Sequence, residues 1–195
     1  EISTRDCSSE GCASDLPWSA LPGVSVEAAL FQSRVDDKIQ SVFVSGGTSC
    51  SPATPCQMRN VGEARVSGLE LGVRGTVLPW LDLGGNLTVL DQKNVSSPET
   101  RITGVPDRKV FAYAVVRPVQ GVSLQATVEH NSRRWVSNTA SLGEFTLLGL
   151  KAGWKPLPAL TLEAGIENAL DRNYELDAGF PAAGRTWFAQ ARYDF

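Results

Sequence analysis

The chain has 195 residues, and 18 Lys and Arg against 21 Asp and Glu leave a formal net charge of −3. This mild acidity argues against a nucleic-acid binder, which needs a dense basic surface. Hydrophobic residues make up 42% of the chain and glycine contributes 18 residues. The chain is thus too apolar for disorder and too rich in glycine for a helical bundle, so the composition predicts a mostly β protein.

Residues 1–20 do not show the alternation of a strand that should precede the turn at 21–23, and an irregular, loop-like segment is predicted there. The four cysteines form two close pairs, Cys7 with Cys12 and Cys50 with Cys56, in polar stretches. Two local disulfides are the economical interpretation, and they would indicate an oxidising compartment. A four-thiolate zinc site is the alternative, although its cysteine pairs are usually separated by about two to four residues.

Period-two alternation of apolar and other residues predicts eight strands after residue 20. The pattern is clear from Leu81, Val122 and Leu160 and over 186–195, and weaker over 24–44, 69–77, 108–116 and 144–154. Several of these strands approach the length of about 9–11 residues that crosses a bilayer when tilted. Small residues are frequent on the apolar face, which lipid tolerates better than a protein core does. A soluble sandwich or lipocalin-like barrel, binding a small apolar ligand inside, is the alternative.

The connections alternate in length. Short turns are predicted at 21–23, 78–80, 118–121 and 156–159, and long polar loops at 45–59, 91–107, 132–143 and 171–184. This asymmetry is typical of outer-membrane barrels, whose short turns face the periplasm. On this basis Trp80, Trp154 and Phe195 belong to a periplasmic aromatic girdle, and Trp135, Tyr174 and Trp187 lie towards the outside.

The sequence offers few residues for catalysis. His130 is the only histidine, it continues the pattern of a strand, and an ordinary surface or interface histidine is predicted. No Walker-type loop and no Gly-x-Ser-x-Gly elbow occurs. The sequence therefore predicts no enzyme activity, no metal site and no cofactor.

Three segments resemble the TonB-dependent outer-membrane receptors of the siderophore-receptor type: 60–70 (NVGEARVSGLE), 165–174 (GIENALDRNY) and 179–195 (GFPAAGRTWFAQARYDF). They are similar to the strand after a large outer loop, to the penultimate strand with its turn, and to the closing loop with the last strand. The resemblance covers about residues 24–195. It implies an all-β fold, the carboxyl-terminal portion of an antiparallel up-and-down transmembrane barrel spanning 21–195, with the plug domain and the TonB-binding motif absent.

The resemblance also implies a function and partners. The implied function is TonB-dependent uptake of a metal complex across the outer membrane of a Gram-negative bacterium, with a ferric siderophore as the first candidate ligand. The implied partners are TonB, through the absent plug, and lipopolysaccharide. Cobalamin, haem and copper complexes remain open as ligands. The terminal Phe195 resembles the signal read by the barrel-assembly machinery. A stand-alone eight-stranded barrel with a structural or adhesive role is the alternative.

Two sets of residues are candidates for these roles. For ligand capture, arginine offers a planar permanent charge and tryptophan a stacking face, and the candidates are Arg101, Arg133, Arg134 and Trp135. The alternative is that these arginines pair with lipopolysaccharide phosphates or nearby acids. For the turn before the last strand, a structural role is predicted for Asn168, Asp171, Tyr174, Gly184 and Arg185, with Arg185 pairing with carboxylates.

Overall fold

The computed structural model describes residues 3–4, 11–21, 23–37, 39–43, 56–60 and 62–195. All of the regular secondary structure within these ranges is β-strand. None of these residues forms a helix that is long and apolar enough to cross a membrane. The strands are β1 Ser3–Thr4, β2 Gly11–Leu21, β3 Val24–Val35, β4 Ile39–Phe43, β5 Cys56–Asn60, β6 Ala64–Leu78, β7 Leu81–Asn94, β8 Arg108–Val116, β9 Val122–Asn131, β10 Arg134–Trp135, β11 Ser141–Leu142, β12 Phe145–Leu157, β13 Leu160–Glu167, β14 Glu175–Asp177, β15 Phe180–Pro181 and β16 Thr186–Tyr193.

One antiparallel sheet contains ten of these strands, in the order β1-β2-β3-β6-β7-β8-β9-β12-β13-β16. The remaining strands form three two-stranded hairpins within the long connections. Each long strand therefore pairs with the next long strand along the chain, which is the up-and-down topology predicted. Within the described residues the sheet is open, because β1 and β16 stand at its two ends and do not pair with each other.

The register separates two chemically different faces. Leu71 of β6 is paired with Ala28 and Leu87 on one face, whereas its neighbour Glu70 is paired with Ala29 and Thr88 on the other. We call these the apolar face and the polar face. Large side chains of the apolar face are exposed, among them Leu83, Leu124, Leu150 and Trp187. The apolar side chains buried within the described part of the chain are Ala64, Ile102 and Phe145. The sheet therefore does not pack over a hydrophobic core there, and we refer to it as a wall.

Glycines on the polar face make room for aromatic rings from neighbouring strands. A Cβ atom at Gly84 would lie 2.5 Å from the ring of Tyr113, and one at Gly165 would lie 2.5 Å from the ring of Phe188. Gly68 lies in the same way beneath Phe31. These strand glycines therefore permit close packing of rings against backbone.

The structure differs from the sequence prediction at its amino-terminal end. The prediction of an irregular segment over residues 1–20 is wrong for residues 11–20, because β2 runs over Gly11–Leu21 and pairs with β3 in antiparallel register from Gly11 and Ser33 to Leu21 and Val24. Its sequence, GCASDLPWSAL, contains a proline and lacks clean alternation. Pairing with β3 therefore determines the strand conformation where the local sequence pattern does not.

Candidate ligand-binding site

The long connections lie at one end of the sheet and the short turns at the other. Three long loops are described completely: the β7–β8 loop (95–107), the β9–β12 loop (132–144) and the β13–β16 loop (168–185). Two backbone donors join the first two loops. The Gly104 N–H donates to the Trp135 carbonyl oxygen at 2.9 Å, and the Arg101 N–H donates to Oδ1 of Asn138 at 2.8 Å. Backbone atoms of Arg101, Gly104 and Trp135 thus take part in the contact between the two loops.

Three of the four candidate ligand residues come together. The Arg101 guanidinium carbon lies 3.9 Å from the centroid of the Trp135 ring, and that of Arg133 lies 4.9 Å from it. Both distances are within the range of a cation–π contact. Both arginines are exposed and Trp135 is half-buried. The two loops therefore present two permanent positive charges on one aromatic surface.

Arg134 is separated from this cluster. It opens β10, in which Arg134 pairs with Leu142 and Trp135 with Ser141, and neighbouring strand residues point to opposite sides. Its Nη1 donates to the Leu176 carbonyl oxygen at 3.1 Å, and its guanidinium carbon lies 5.9 Å from the ring centroid of Phe145. The structure therefore brings Arg101, Arg133 and Trp135 together and turns Arg134 towards the β13–β16 loop.

Asn168 forms the turn that begins the β13–β16 loop. Its φ is +48° and only 6% of its surface is exposed. Its Oδ1 accepts from the Arg172 N–H at 2.8 Å, and its Nδ2 donates to the carbonyl oxygens of Arg172 at 2.9 Å and Ala183 at 3.3 Å. Asparagine tolerates a positive φ and bonds the nearby backbone, which explains this residue at this turn.

The other motif residues surround the same turn. Asp171, with φ +52°, accepts from the Arg185 N–H at 2.9 Å, and a Cβ at Gly184 would lie 2.9 Å from Oδ1 of Asp171. Arg185 differs from the expectation of a pairing with carboxylates, because its Nε donates to the Ala169 carbonyl oxygen at 3.0 Å. Arg185 forms no ion pair with a carboxylate within the described residues.

The aromatic residues divide between the two faces. Trp187 is 74% exposed on the apolar face, and at the short-turn end Trp80, Trp154 and Phe195 are exposed. Tyr174 is different from the girdle residue predicted, because its ring centroid lies 4.5 Å from that of Phe145, a buried residue whose β9 partner is Asn131 on the polar face. Trp135 is likewise covered by arginines in a loop.

The polar face contains charged residues that pair with one another across neighbouring strands. Lys109 pairs with Glu129 at 3.2 Å, and Lys151 pairs with Glu163 at 3.1 Å. A groove of about 790 Å³ lies on this face; its lining includes Glu27, Glu70, Asn86, Lys109, Phe111 and Glu129. Strand alternation places each of them on the face opposite the apolar residues.

His130, the potential metal ligands and the cysteines were the other side chains considered in the sequence. His130 contributes Nδ1 to a 2.9 Å contact with Oγ1 of Thr146 on the neighbouring strand. Within the described residues no three His, Cys, Asp or Glu side chains are grouped to hold a metal ion. Cys7 and Cys50 lie outside the described residues, and for Cys12 and Cys56 only the strand backbone is described. The two disulfides therefore stay a prediction.

Comparison with known proteins identifies the family. The sequence model of the family "TonB dependent receptor-like, beta-barrel" matches residues 16–169. The chain belongs to the TonB-dependent receptor family. The sequence-based recognition and the all-β fold are thereby confirmed.

Several known proteins align over nearly the whole chain. It is 23% identical over 185 residues to a vitamin B12 transporter of Vibrio vulnificus strain YJ016, covering 91% of this chain and 28% of that protein. The solved structure of a copper transporter, OprC, superposes with a TM-score of 0.77 at 19% identity, covering 95% of this chain and 31% of the other. The ferric enterobactin receptor of Pseudomonas aeruginosa (mutant G324V) superposes with a TM-score of 0.75 at 21% identity and the same coverage. The chain thus spans about a third of the length of these relatives.

Proposed function

We propose that this chain is the carboxyl-terminal portion of the barrel wall in an outer-membrane receptor that takes up a metal complex with energy supplied through TonB. The observation that carries the proposal is the pair of unlike faces. Leu71, Leu124 and Leu150 are exposed on the apolar face, in strands of 10–15 residues. Such strands suit a lipid-facing wall, and the polar face suits a lumen.

The open ends of the sheet favour a portion of a larger barrel over the stand-alone eight-stranded barrel. A small closed barrel requires its first and last strands to pair, because an unpaired edge in lipid leaves backbone groups unsatisfied. In the described residues β2 has β1 and β3 as its neighbours, while β16 has β13. The wall would therefore be completed by further strands of a receptor whose lumen is filled by a plug.

The cluster of Arg101, Arg133 and Trp135 supports an anionic ligand with flat groups. Two guanidinium groups within 5 Å of one indole ring provide charge and a stacking surface together. Iron-loaded siderophores often combine negative charge with planar metal-binding groups. We therefore place a ferric siderophore first among the ligands, ahead of cobalamin, haem and copper complexes.

The experiment measures uptake in cells that produce the protein from its native gene. A panel of ferric siderophores, cobalamin, haem and a copper complex is presented to these cells, to a deletion strain and to a strain without TonB. We expect one ferric siderophore to accumulate only when both the gene and TonB are present. Accumulation that does not need TonB, or that is restricted to another ligand class, would contradict the proposal.

Variants then test the cluster of Arg101, Arg133 and Trp135, which we call the capture cluster. Arg133→Ala and Arg101→Ala each remove one charge from Trp135, while the Arg101 backbone keeps its bond to Asn138. We expect each to raise the Kd of the transported complex severalfold. Lys155→Ala is the matched control, since it also removes one exposed charge but at the short-turn end of β12. An equal effect of all three variants would remove the cluster from the binding site.

A further inference from the structure

The geometry points to a positioning role for Arg134: we propose that it fastens the β13–β16 loop to the β9–β12 loop, so that the surface formed by Arg101, Arg133 and Trp135 is held in place before any ligand arrives. The inference deepens the proposed function. Its main test needs no ligand, so it can succeed or fail independently of that function.

The first step is the bond between loops that are distant in the chain. Arg134 and Leu176 are 42 residues apart, and Nη1 of the arginine reaches the carbonyl oxygen of Leu176 at 3.1 Å. This bond is charge-assisted, and such bonds are stronger than those between neutral groups. β11 also packs against β14, so the contact between the two loops extends beyond a single side chain.

The second step is the aromatic support beneath the guanidinium. Phe145 is 4% exposed, its ring centroid lies 5.9 Å from the Arg134 guanidinium carbon, and the Tyr174 ring packs against it at 4.5 Å. Phe145 begins β12 and Tyr174 directly precedes β14. The arginine, the phenylalanine and the tyrosine therefore form one chain of contacts that connects the sheet to both loops.

The third step is the transmission to the capture cluster. Arg134 lies between Arg133 and Trp135 in the chain, and the Trp135 carbonyl oxygen accepts from Gly104 of the β7–β8 loop. Fixing the backbone of β10 thus fixes the indole ring and, through Gly104, the neighbouring loop. A pre-ordered surface loses less conformational entropy when it binds a ligand.

Hydrogen exchange of the purified protein without ligand tests this positioning role. In Arg134→Ala we expect the amides of residues 174–182 to exchange at least about fivefold faster, because local opening governs exchange in such loops. Amides of β13 and β16 should be unchanged. Arg134→Lys should give an intermediate rate, since lysine can donate to the Leu176 carbonyl oxygen but cannot stack as a plane on Phe145. Arg133→Ala, the matched control on the adjacent residue, should leave this segment unchanged.

Binding measurements complete the test. Arg134→Ala should raise the Kd of the transported complex severalfold, with partial recovery in Arg134→Lys, while Arg133→Ala weakens binding without any change in exchange. A weaker affinity of Arg134→Ala with unchanged exchange would show that Arg134 contacts the ligand directly and would overturn the inference. Unchanged exchange together with unchanged binding would also overturn it. A protein that transports nothing but shows the faster exchange would contradict the proposed function and leave the loop connection supported.

Discussion

Replacing Asn168 by alanine is expected to lower the free energy of unfolding by about 2–3 kcal/mol. The substitution removes the hydrogen bond that Oδ1 accepts from the Arg172 N–H at 2.8 Å, and such a bond contributes about 0.5–1.5 kcal/mol when the freed N–H can bond water. It also places alanine at a φ of +48°, for which a side chain without local bonding costs about 1–2 kcal/mol. The two carbonyl oxygens that Nδ2 serves belong to the exposed residues Arg172 and Ala183, which can bond water instead.

Two further variants separate these causes. Asn168→Gly loses the same hydrogen bonds but accepts the positive φ, so we expect a loss of about 1 kcal/mol. Asn173→Ala is the matched control, because Asn173 is exposed and has no side-chain hydrogen bond within the part of the chain described. A change of less than about 0.5 kcal/mol is expected there.

The assay is reversible urea unfolding of the protein in lipid vesicles or detergent, followed by tryptophan fluorescence and by the heat-modifiable shift of the folded barrel on a gel. The predicted order of stability is wild type and Asn173→Ala, then Asn168→Gly, then Asn168→Ala. Equal stabilities of Asn168→Ala and Asn173→Ala would refute the turn argument. A glycine variant less stable than the alanine variant would refute the argument from φ.

The remaining predictions concern the wall. Gly165→Ala should lower the free energy of unfolding by about 1–3 kcal/mol, because its Cβ would lie 2.5 Å from the Phe188 ring and 2.7 Å from the Leu150 carbonyl oxygen. Gly143→Ala is the control in the same urea titration, because a Cβ at Gly143 would have no atom within 4 Å. Leu71→Arg should cost about 2–4 kcal/mol of folding into lipid vesicles, because it places a charge at mid-strand on the apolar face, which faces lipid under the receptor proposal. Glu70→Arg, on the opposite face, should change the same free energy by less than half as much. Equal costs for the two would mean that the faces are assigned incorrectly.

The sequence predicted the wall well because alternation is a local signal. Leu81, Val122 and Leu160 begin strands as expected, and the short turns at 78–80, 118–121 and 156–159 alternate with the long loops at 91–107, 132–143 and 171–184 as predicted. Most of the loop predicted at 45–59, and part of the turn predicted at 21–23, lie outside the described residues. β2 was missed because its side chains do not alternate clearly, and its strand conformation depends on pairing with β3. The stretch predicted as one strand over 24–44 contains β3 and β4, with Asp37 at a φ of +55° between them.

The candidate site was less predictable because its contacts join distant loops. Residue chemistry alone placed Arg134 with Arg133 and Trp135, yet the alternation of β10 turns Arg134 to Leu176 and Phe145. Likewise, Tyr174 was expected in an aromatic girdle, but its ring lies on Phe145. Composition identifies which groups are present at the loops, and only the tertiary fold determines which of them share a surface.

We expect ligand choice to be encoded in the loops rather than in the wall. A copper transporter and a ferric enterobactin receptor share this fold at TM-scores of 0.77 and 0.75, with only 19% and 21% identity. A strand in such a wall has to supply an apolar side chain at every second position, and many residues satisfy that demand. The loops have no such repeating requirement, so the architecture of the wall does not dictate the pair of guanidinium groups on one indole ring. If the receptor proposal is correct, exchanging the 132–144 loop should change the transported ligand, whereas exchanging residues of the apolar face should not.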